Sequence, residues 1–96
     1  YRVLVARDGH EAEHVALRGD EIQLLISDVV MPGRSGIETA TLVRRLLPGL
    51  RVLLISGYAA KAIEREGPLA PGMNFLAKPF TRVALLEAVR ATLDEA

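Results

Sequence analysis

Four short apolar runs alternate with longer segments of helical spacing, and this alternation restricts the chain to few folds. The runs cover residues 3–6, 24–26, 52–55 and 73–77. Near-continuous hydrophobic runs are typical of strands buried on both faces of a parallel sheet. Right-handed crossovers would then place helices on both faces. Because 96 residues leave no room for two independent cores, we expect residues 1–96 to form one α/β domain.

Three segments between or after these runs predict helices. Asp8 followed by Glu11 resembles a capping box that opens the first helix. A second helix follows Gly36, and Thr81 caps a third. Between residues 59 and 66 the helical signal is weak. The side chains expected to face the core are Ala12, Val15, Ala16, Ile37, Ala40, Val43, Leu47, Leu85, Leu86, Val89 and Leu93.

The composition argues against several classes of protein. Twelve basic residues balance twelve acidic ones, and no Lys/Arg block predicts nucleic-acid binding, so we expect a protein partner. The absence of cysteine excludes disulfides and thiolate metal sites and fits a reducing compartment. The apolar runs are too short to span a bilayer. We therefore expect a cytoplasmic protein with no direct membrane contact.

Polar side chains stand where three of the predicted strands end. Asp28 ends the second run, Ser56 the third and Lys78 the fourth. The carboxyl ends of parallel strands share one edge of a sheet, where doubly wound folds bind ligands. Each residue alone has an ordinary structural explanation, such as capping a turn or lying in solvent. Together they predict a carboxylate nucleophile with a cation and a hydroxyl beside it, a set suited to phosphoryl transfer.

The segments that carry these residues resemble a known family, the receiver (response regulator) domain of two-component phosphorelays. They are residues 28–36 (DVVMPGRSG), 54–58 (LISGY) and 75–80 (FLAKPF). The resemblance implies a flavodoxin-like, CheY-like parallel sheet. It also implies that Asp28 is the phosphoacceptor, Ser56 the switch hydroxyl and Lys78 the cation that contacts the phosphoryl group.

The same resemblance implies roles for neighbouring residues. Phe75 would be the aromatic side chain that turns inward when the switch hydroxyl moves, and the Lys78–Pro79 peptide bond would be cis. Asp28 and the backbone carbonyl of Val30 would bind Mg²⁺. Val30 and Tyr58 would flank the site and limit the access of water.

The chain departs from the family pattern at its beginning, where it is expected to lack the first strand and helix. The two further carboxylates that hold Mg²⁺ are then absent, and we find no substitute among Asp8, Asp20, Glu21, Asp94 and Glu95. In the family order 2-1-3-4-5, the lost strand would separate this chain's first two strands and leave backbone groups unpaired. One explanation is that the chain is a fragment. Alternatively, the remaining strands pair with each other, or a second copy closes the gap through a homodimer or strand exchange. The isolated chain is expected to be a poor phosphoacceptor.

The implied partner is a histidine kinase or a histidine phosphotransfer protein, which would donate the phosphoryl group. The amino-acid sequences of the second and third motifs favour a receiver from a hybrid sensor histidine kinase. The alternative is a phosphorylation-incompetent fragment or pseudo-receiver that acts only as a protein-interaction module.

Two enzyme classes are weaker alternatives. His10, Glu11 and His14 match the H-E-x-x-H zinc motif. The chain has no histidines besides His10 and His14, and no sequence pattern identifies a third zinc ligand. Aspartyl-phosphate hydrolases use a D-x-D motif, and Val30 occupies the position of the second acid. The general acid needed for turnover is therefore missing.

Overall fold

The computed structural model describes residues 2–6, 9–18, 21–30, 35–57 and 71–94. Within these ranges the elements are β1 (Val3–Ala6), α1 (Gly9–Leu17), β2 (Leu24–Asp28), α2 (Gly36–Leu46), β3 (Arg51–Ser56), β4 (Met73–Ala77) and α3 (Arg82–Asp94). The four predicted strands and three predicted helices are thus confirmed, whereas the weak helical segment at 59–66 lies outside the described residues. None of the helices in these ranges is both long and apolar enough to cross a bilayer.

The strands form one parallel sheet in the order β1-β2-β3-β4. Val3 of β1 pairs with Leu24 of β2, which in turn pairs with Arg51 of β3. Just before this ladder, the Arg2 carbonyl oxygen accepts hydrogen bonds from the amides of Gln23 and Leu24. In the described part of the sheet β1 therefore pairs directly with β2. The backbone groups expected to be unpaired between β1 and β2 are therefore hydrogen-bonded.

One face of the sheet, called the first face below, packs against α1 and α2. Leu25, Val52 and Leu54 point to this side from the strands and are buried. Ala12 and Ala16 of α1 are also buried there, as the helical pattern predicts. The other buried members of this cluster are Ala6, Ala40, Val43, Leu50 and Met73. Most of the core therefore lies between the sheet and these two helices.

The opposite face, called the second face, is covered by α3. Its buried members are Leu24, Ile26 and Leu53, against which several side chains of α3 pack. The prediction that Leu86 belongs to the buried stripe is wrong, since its side chain is 56% exposed. The other predicted positions of the stripe, Leu85, Val89 and Leu93, pack against the cluster. These three are spaced four residues apart, whereas Leu86 points away from their row.

Side-chain caps mark the beginnings of two helices. The Thr81 hydroxyl accepts a hydrogen bond from the Ala84 amide at 3.0 Å, which confirms the predicted cap of α3. Ser35 caps α2 in the same way, through the Glu38 amide at 3.1 Å. The sequence pattern had marked only the following glycine as the start of α2. Asp8, the predicted cap of α1, lies outside the described residues.

Candidate functional site

An ion pair joins the ends of two strands that are not neighbours in the sheet. The Lys78 ammonium nitrogen lies 2.8 Å from an oxygen of the Asp28 carboxylate, and each side chain is 50% exposed. Asp28 is the last residue of β2, and Lys78 directly follows β4. Because β3 lies between those strands, the pair reaches across its end. The convergence predicted from the polar strand ends is thus found for Asp28 and Lys78, and both groups remain accessible to a ligand.

Backbone hydrogen bonds continue past the strand ends and hold both partners of this pair. The Val29 amide donates to the Ile55 carbonyl oxygen at 3.0 Å, and the Lys78 amide donates to the Ser56 carbonyl oxygen at 2.9 Å. The residue after the carboxylate and the residue that carries the cation are therefore both fixed to β3. The sheet therefore fixes the backbone beside Asp28 and at Lys78, from which the two charged side chains extend.

Ser56 ends β3, the strand that separates the two charged residues. Its side chain is largely buried, with 7% of the residue exposed, and in the sheet it pairs with Ala77. The structure thus places all three predicted polar residues at one edge. Their chemical roles stay predictions.

Phe75 lies on β4 opposite Leu54. It is partly buried and packs against the cluster on the first face. The Lys78–Pro79 peptide bond that follows the strand is cis, as predicted. Of the two residues that the third motif singled out, Phe75 thus packs against the core and Lys78 pairs with Asp28.

Gly36, at the start of α2, touches the backbone of the proposed phosphoacceptor. Its amide donates to the Val29 carbonyl oxygen at 2.6 Å. A Cβ at this position would overlap the carbonyl oxygen of Asp28, so only glycine permits this approach. Sequence reasoning treated Gly36 as a helix start and missed this role. The signal was available in its place eight residues after the aspartate, at the end of the first motif.

Of the two residues predicted to limit water access, Val30 is 84% exposed, and Tyr58 lies outside the described residues. Val30 follows the carboxylate by two positions. Its side chain is therefore free to influence what approaches Asp28 from solvent.

Mg²⁺ usually keeps several water ligands in proteins, so the described residues would supply only part of its coordination. Mg²⁺ requires six oxygen ligands in near-ideal octahedral geometry. The donors predicted at this edge are the Asp28 carboxylate and the Val30 carbonyl, and no group of three or more acidic or histidine side chains suited to a metal occurs in the part of the chain that the structure covers. Other oxygen donors would have to complete the site.

The H-E-x-x-H residues lie on α1. His10 and His14 are exposed and line a shallow surface groove with Glu11, Glu13 and Leu17. Across the described ranges no third metal ligand joins them. The zinc alternative thus gains no support from the geometry.

Comparison with known proteins identifies the family. The model of the response regulator receiver domain matches residues 1–90. The chain is 37% identical over 93 residues to the transcriptional regulatory protein YrkP of Bacillus subtilis, covering 97% of this chain and 39% of that protein. It is 34% identical over 96 residues to the sensor kinase CckA of Brucella abortus, covering 99% of this chain and 10% of that protein. The chain thus spans well under half of either relative.

Solved structures show the same fold. A response regulator receiver protein from Sinorhizobium medicae superposes with a TM-score of 0.82 at 24% identity, covering 97% of this chain and 94% of that one. The receiver domain of the hybrid histidine kinase CckA gives a TM-score of 0.65 at 28% identity, covering 98% and 100% of the two chains. With a family match over nearly its whole length, this chain belongs to the response regulator receiver domain family, whose members are phosphoacceptors in two-component signalling.

Proposed function

We propose that Asp28 is the phosphoacceptor of this receiver domain. A carboxylate oxygen of Asp28 would attack the phosphorus of a phosphohistidine, forming an O–P bond as the P–N bond breaks and the imidazole leaves. Water would later attack the phosphorus of the acyl phosphate, breaking its bond to the Asp28 oxygen, releasing inorganic phosphate and restoring the carboxylate. The observation that carries this proposal is the 2.8 Å ion pair between Asp28 and Lys78. It places a half-exposed nucleophile and a cation together at the sheet edge where α/β folds bind ligands.

Lys78 would offset the charge that the phosphoryl group brings. Phosphoryl transfer depends mainly on positioning and on neutralising negative charge. In the unmodified protein the ammonium contacts Asp28 itself, so phosphorylation would transfer this contact to a phosphoryl oxygen. The backbone hydrogen bond to Ser56 keeps Lys78 in place during the exchange.

Ser56 and Phe75 would convert the modification into a change of surface. The Ser56 hydroxyl, at the end of β3, would move to donate to a phosphoryl oxygen, and Phe75 would fill the space that it leaves. Phe75 is partly buried and packs against the first-face cluster, so a rotation of its ring would change its exposure. The surface formed by the last two strands and the helices beside them would then differ between the two states.

Val30 would set how fast water reaches the acyl phosphate, together with Tyr58. Replacing Val30 by Asn would introduce an amide that can hydrogen-bond water beside Asp28. We expect faster loss of the phosphoryl group from the phosphorylated fraction of Val30→Asn. An unchanged decay rate would refute this role.

Receiver domains of this family generally bind Mg²⁺, and the Asp28 carboxylate and the Val30 carbonyl are the donors that this chain would contribute. When bound, the metal would supply positive charge to the phosphoryl oxygens. Because these donors are too few by themselves, we expect phosphorylation of the 96-residue chain to remain well below one phosphoryl group per molecule.

The phosphoryl donor would be a histidine kinase or a histidine phosphotransfer protein, the partners with which receiver domains interact. We place this receiver domain in the cytoplasm and within a hybrid histidine kinase, because one relative is a sensor kinase and a CckA receiver shares the fold over its whole length. The shortage of metal donors among the described residues favours one second candidate, an interaction module that is not phosphorylated.

Intact-mass spectrometry after incubation with acetyl phosphate and Mg²⁺ tests the site. We expect a minor species heavier by one phosphoryl group, localised to Asp28 by fragmentation. It should vanish in Asp28→Asn and persist in Asp94→Asn, which makes the same chemical change in an exposed ion pair on α3.

An adduct that survives in Asp28→Asn would overturn the proposed phosphoacceptor. Near-stoichiometric modification of the wild-type chain would support the site but overturn the expectation of incomplete metal binding. Complete absence of an adduct, even with a phosphohistidine donor, would favour the interaction module.

A further inference from the structure

Two arginine side chains converge at the amino-terminal edge of the sheet, far from Asp28. Arg44 belongs to the last turn of α2, and Arg51 is the first residue of β3. Both are half-buried. A guanidinium nitrogen of Arg44 lies 3.2 Å, and one of Arg51 lies 3.3 Å, from the point where a Cβ would stand on Gly72. The distance between the two nitrogens therefore cannot exceed the sum of these lengths.

The turn before β4 places Gly72 against both guanidinium groups. Gly72 has a φ of +82°, a conformation that side-chain-bearing residues rarely adopt. Its carbonyl oxygen accepts a hydrogen bond from the Val52 amide at 2.9 Å, so the turn is fixed to β3 beside Arg51. Since glycine has no side chain, nothing at position 72 separates the two cations.

No carboxylate neutralises this pair within the described residues. The ion pairs found there join Lys78 to Asp28 and Arg90 to Asp94. Glu21, which precedes β2 at the same edge of the sheet, forms no ion pair with either arginine in that part of the chain. Two half-buried like charges this close repel each other unless an anion lies between them.

The geometry and charge select a ligand class. Guanidinium groups present planar forks of N–H donors that match phosphate oxygens, at N···O distances of about 2.7–2.9 Å. A tetrahedral oxyanion placed between Arg44 and Arg51 could accept from both forks at once. Phosphate carries more charge and more acceptor oxygens than a carboxylate, so it offsets two cations better.

We propose that Arg44 and Arg51 form a binding site for a phosphate-type oxyanion, separate from the phosphoacceptor. The two sites lie at opposite ends of β3, which begins at Arg51 and ends at Ser56. At about 3.3 Å per residue, the length of this strand keeps them well apart. A phosphate ion and a phosphomonoester share the chemistry that the site recognises.

Amide NMR titration tests the proposal. In wild-type protein at constant ionic strength, inorganic phosphate should shift the Gly72 amide along a saturating curve. Arg44→Gln should weaken the apparent affinity at least tenfold. Arg45→Gln is the matched control, because it removes the same charge from the exposed neighbour in the last turn of α2 and should leave the curve unchanged. Phenyl phosphate and acetate serve as separate probes, with binding expected for the first only.

The outcomes separate the alternatives. Equal affinity of phosphate and phenyl phosphate indicates recognition of the phosphate group, whereas binding of the free ion alone restricts the source to inorganic phosphate. A linear shift that is the same in all three proteins, or an acetate curve that matches phosphate, would overturn the proposal. Lys78→Gln should not alter the Gly72 titration, and a loss there would show that the ion binds at the phosphoacceptor edge instead. Arg51→Gln should weaken phosphate binding as Arg44→Gln does, and if that variant does not fold, the Arg44 and Arg45 variants still decide the result.

Discussion

The two faces of the sheet differ sharply in how they are packed. Among the described residues, ten buried hydrophobic side chains form the cluster on the first face, but only three form that on the second. Val3 and Val5 of β1, which lie on the second face, stay exposed, at 45% and 62%. The buried apolar area that stabilises the fold is therefore concentrated on the side of α1 and α2. Phe75 and Val29, beside the candidate site, pack against the cluster on the first face. The site is therefore supported by the face that buries more hydrophobic side chains.

Adjacent leucines on β3 give the most direct test of this comparison. Leu54 belongs to the first face and Leu53 to the second, and both are fully buried. We expect Leu54→Ala to lower the free energy of unfolding by about 3–5 kcal/mol and Leu53→Ala by about 2–3 kcal/mol, because the thinner face can relax around a cavity. Urea unfolding followed by far-UV circular dichroism measures both. Equal losses would mean that the two faces do not differ in rigidity.

Replacing Gly36 by Ala probes how the first face supports the site. The added methyl group would overlap the Asp28 carbonyl oxygen, and overpacking of this kind costs about 1–3 kcal/mol. The Asp28 amide should also shift in NMR spectra. Gly49→Ala is the control, since a Cβ there meets nothing within 4 Å. If both variants unfold at the same urea concentration, the close approach of α2 to β2 is not tight in solution.

Thr92 joins α3 to β4 on the second face. Its hydroxyl accepts from the Asn74 side-chain amide at 3.0 Å and donates to the Ala88 carbonyl oxygen at 2.7 Å. Thr92→Val removes both hydrogen bonds at a fully buried position, and we expect a loss of about 1–2 kcal/mol in urea unfolding. Thr92→Ser should recover most of it. A valine variant as stable as wild type would show that packing alone holds α3.

Thr39 is the counterpart of Thr92 on α2, and its substitution should have the opposite sign. It is fully buried, and its hydroxyl has no hydrogen-bond partner among the described residues. Thr39→Val keeps the shape but removes a buried polar group without a partner. We expect a gain of up to about 1 kcal/mol, measured by thermal unfolding. A loss of stability would indicate that the hydroxyl is hydrogen-bonded in solution.

Sequence reasoning predicted the strands and the shared edge that carries the site, but not the tertiary contacts that support it. The apolar runs located every described strand, and the parallel arrangement brought Asp28, Ser56 and Lys78 to one edge. This worked because strand periodicity and strand ends are local properties. The role of Gly36 was missed because it depends on how α2 approaches β2, which is a tertiary property.

Other misses have the same cause. Direct pairing of β1 with β2 could be stated only as one alternative, since no local pattern selects a strand's neighbour. Leu86 has the hydrophobicity of a core residue, and only the rotation of α3 on the sheet shows that it faces solvent. Arg44 and Arg51 are separated by a turn, so their approach to Gly72 has no signature in the sequence.

The outer margin of β1 has a consequence for handling the protein. In the described part of the sheet β1 pairs with β2 alone, and its two exposed valines lie along the same margin. Such a margin can template intermolecular strand addition, so aggregation should increase with protein concentration. Lysine at Val5 would place a charge there, which should improve solubility without disturbing the buried side chains of the opposite face.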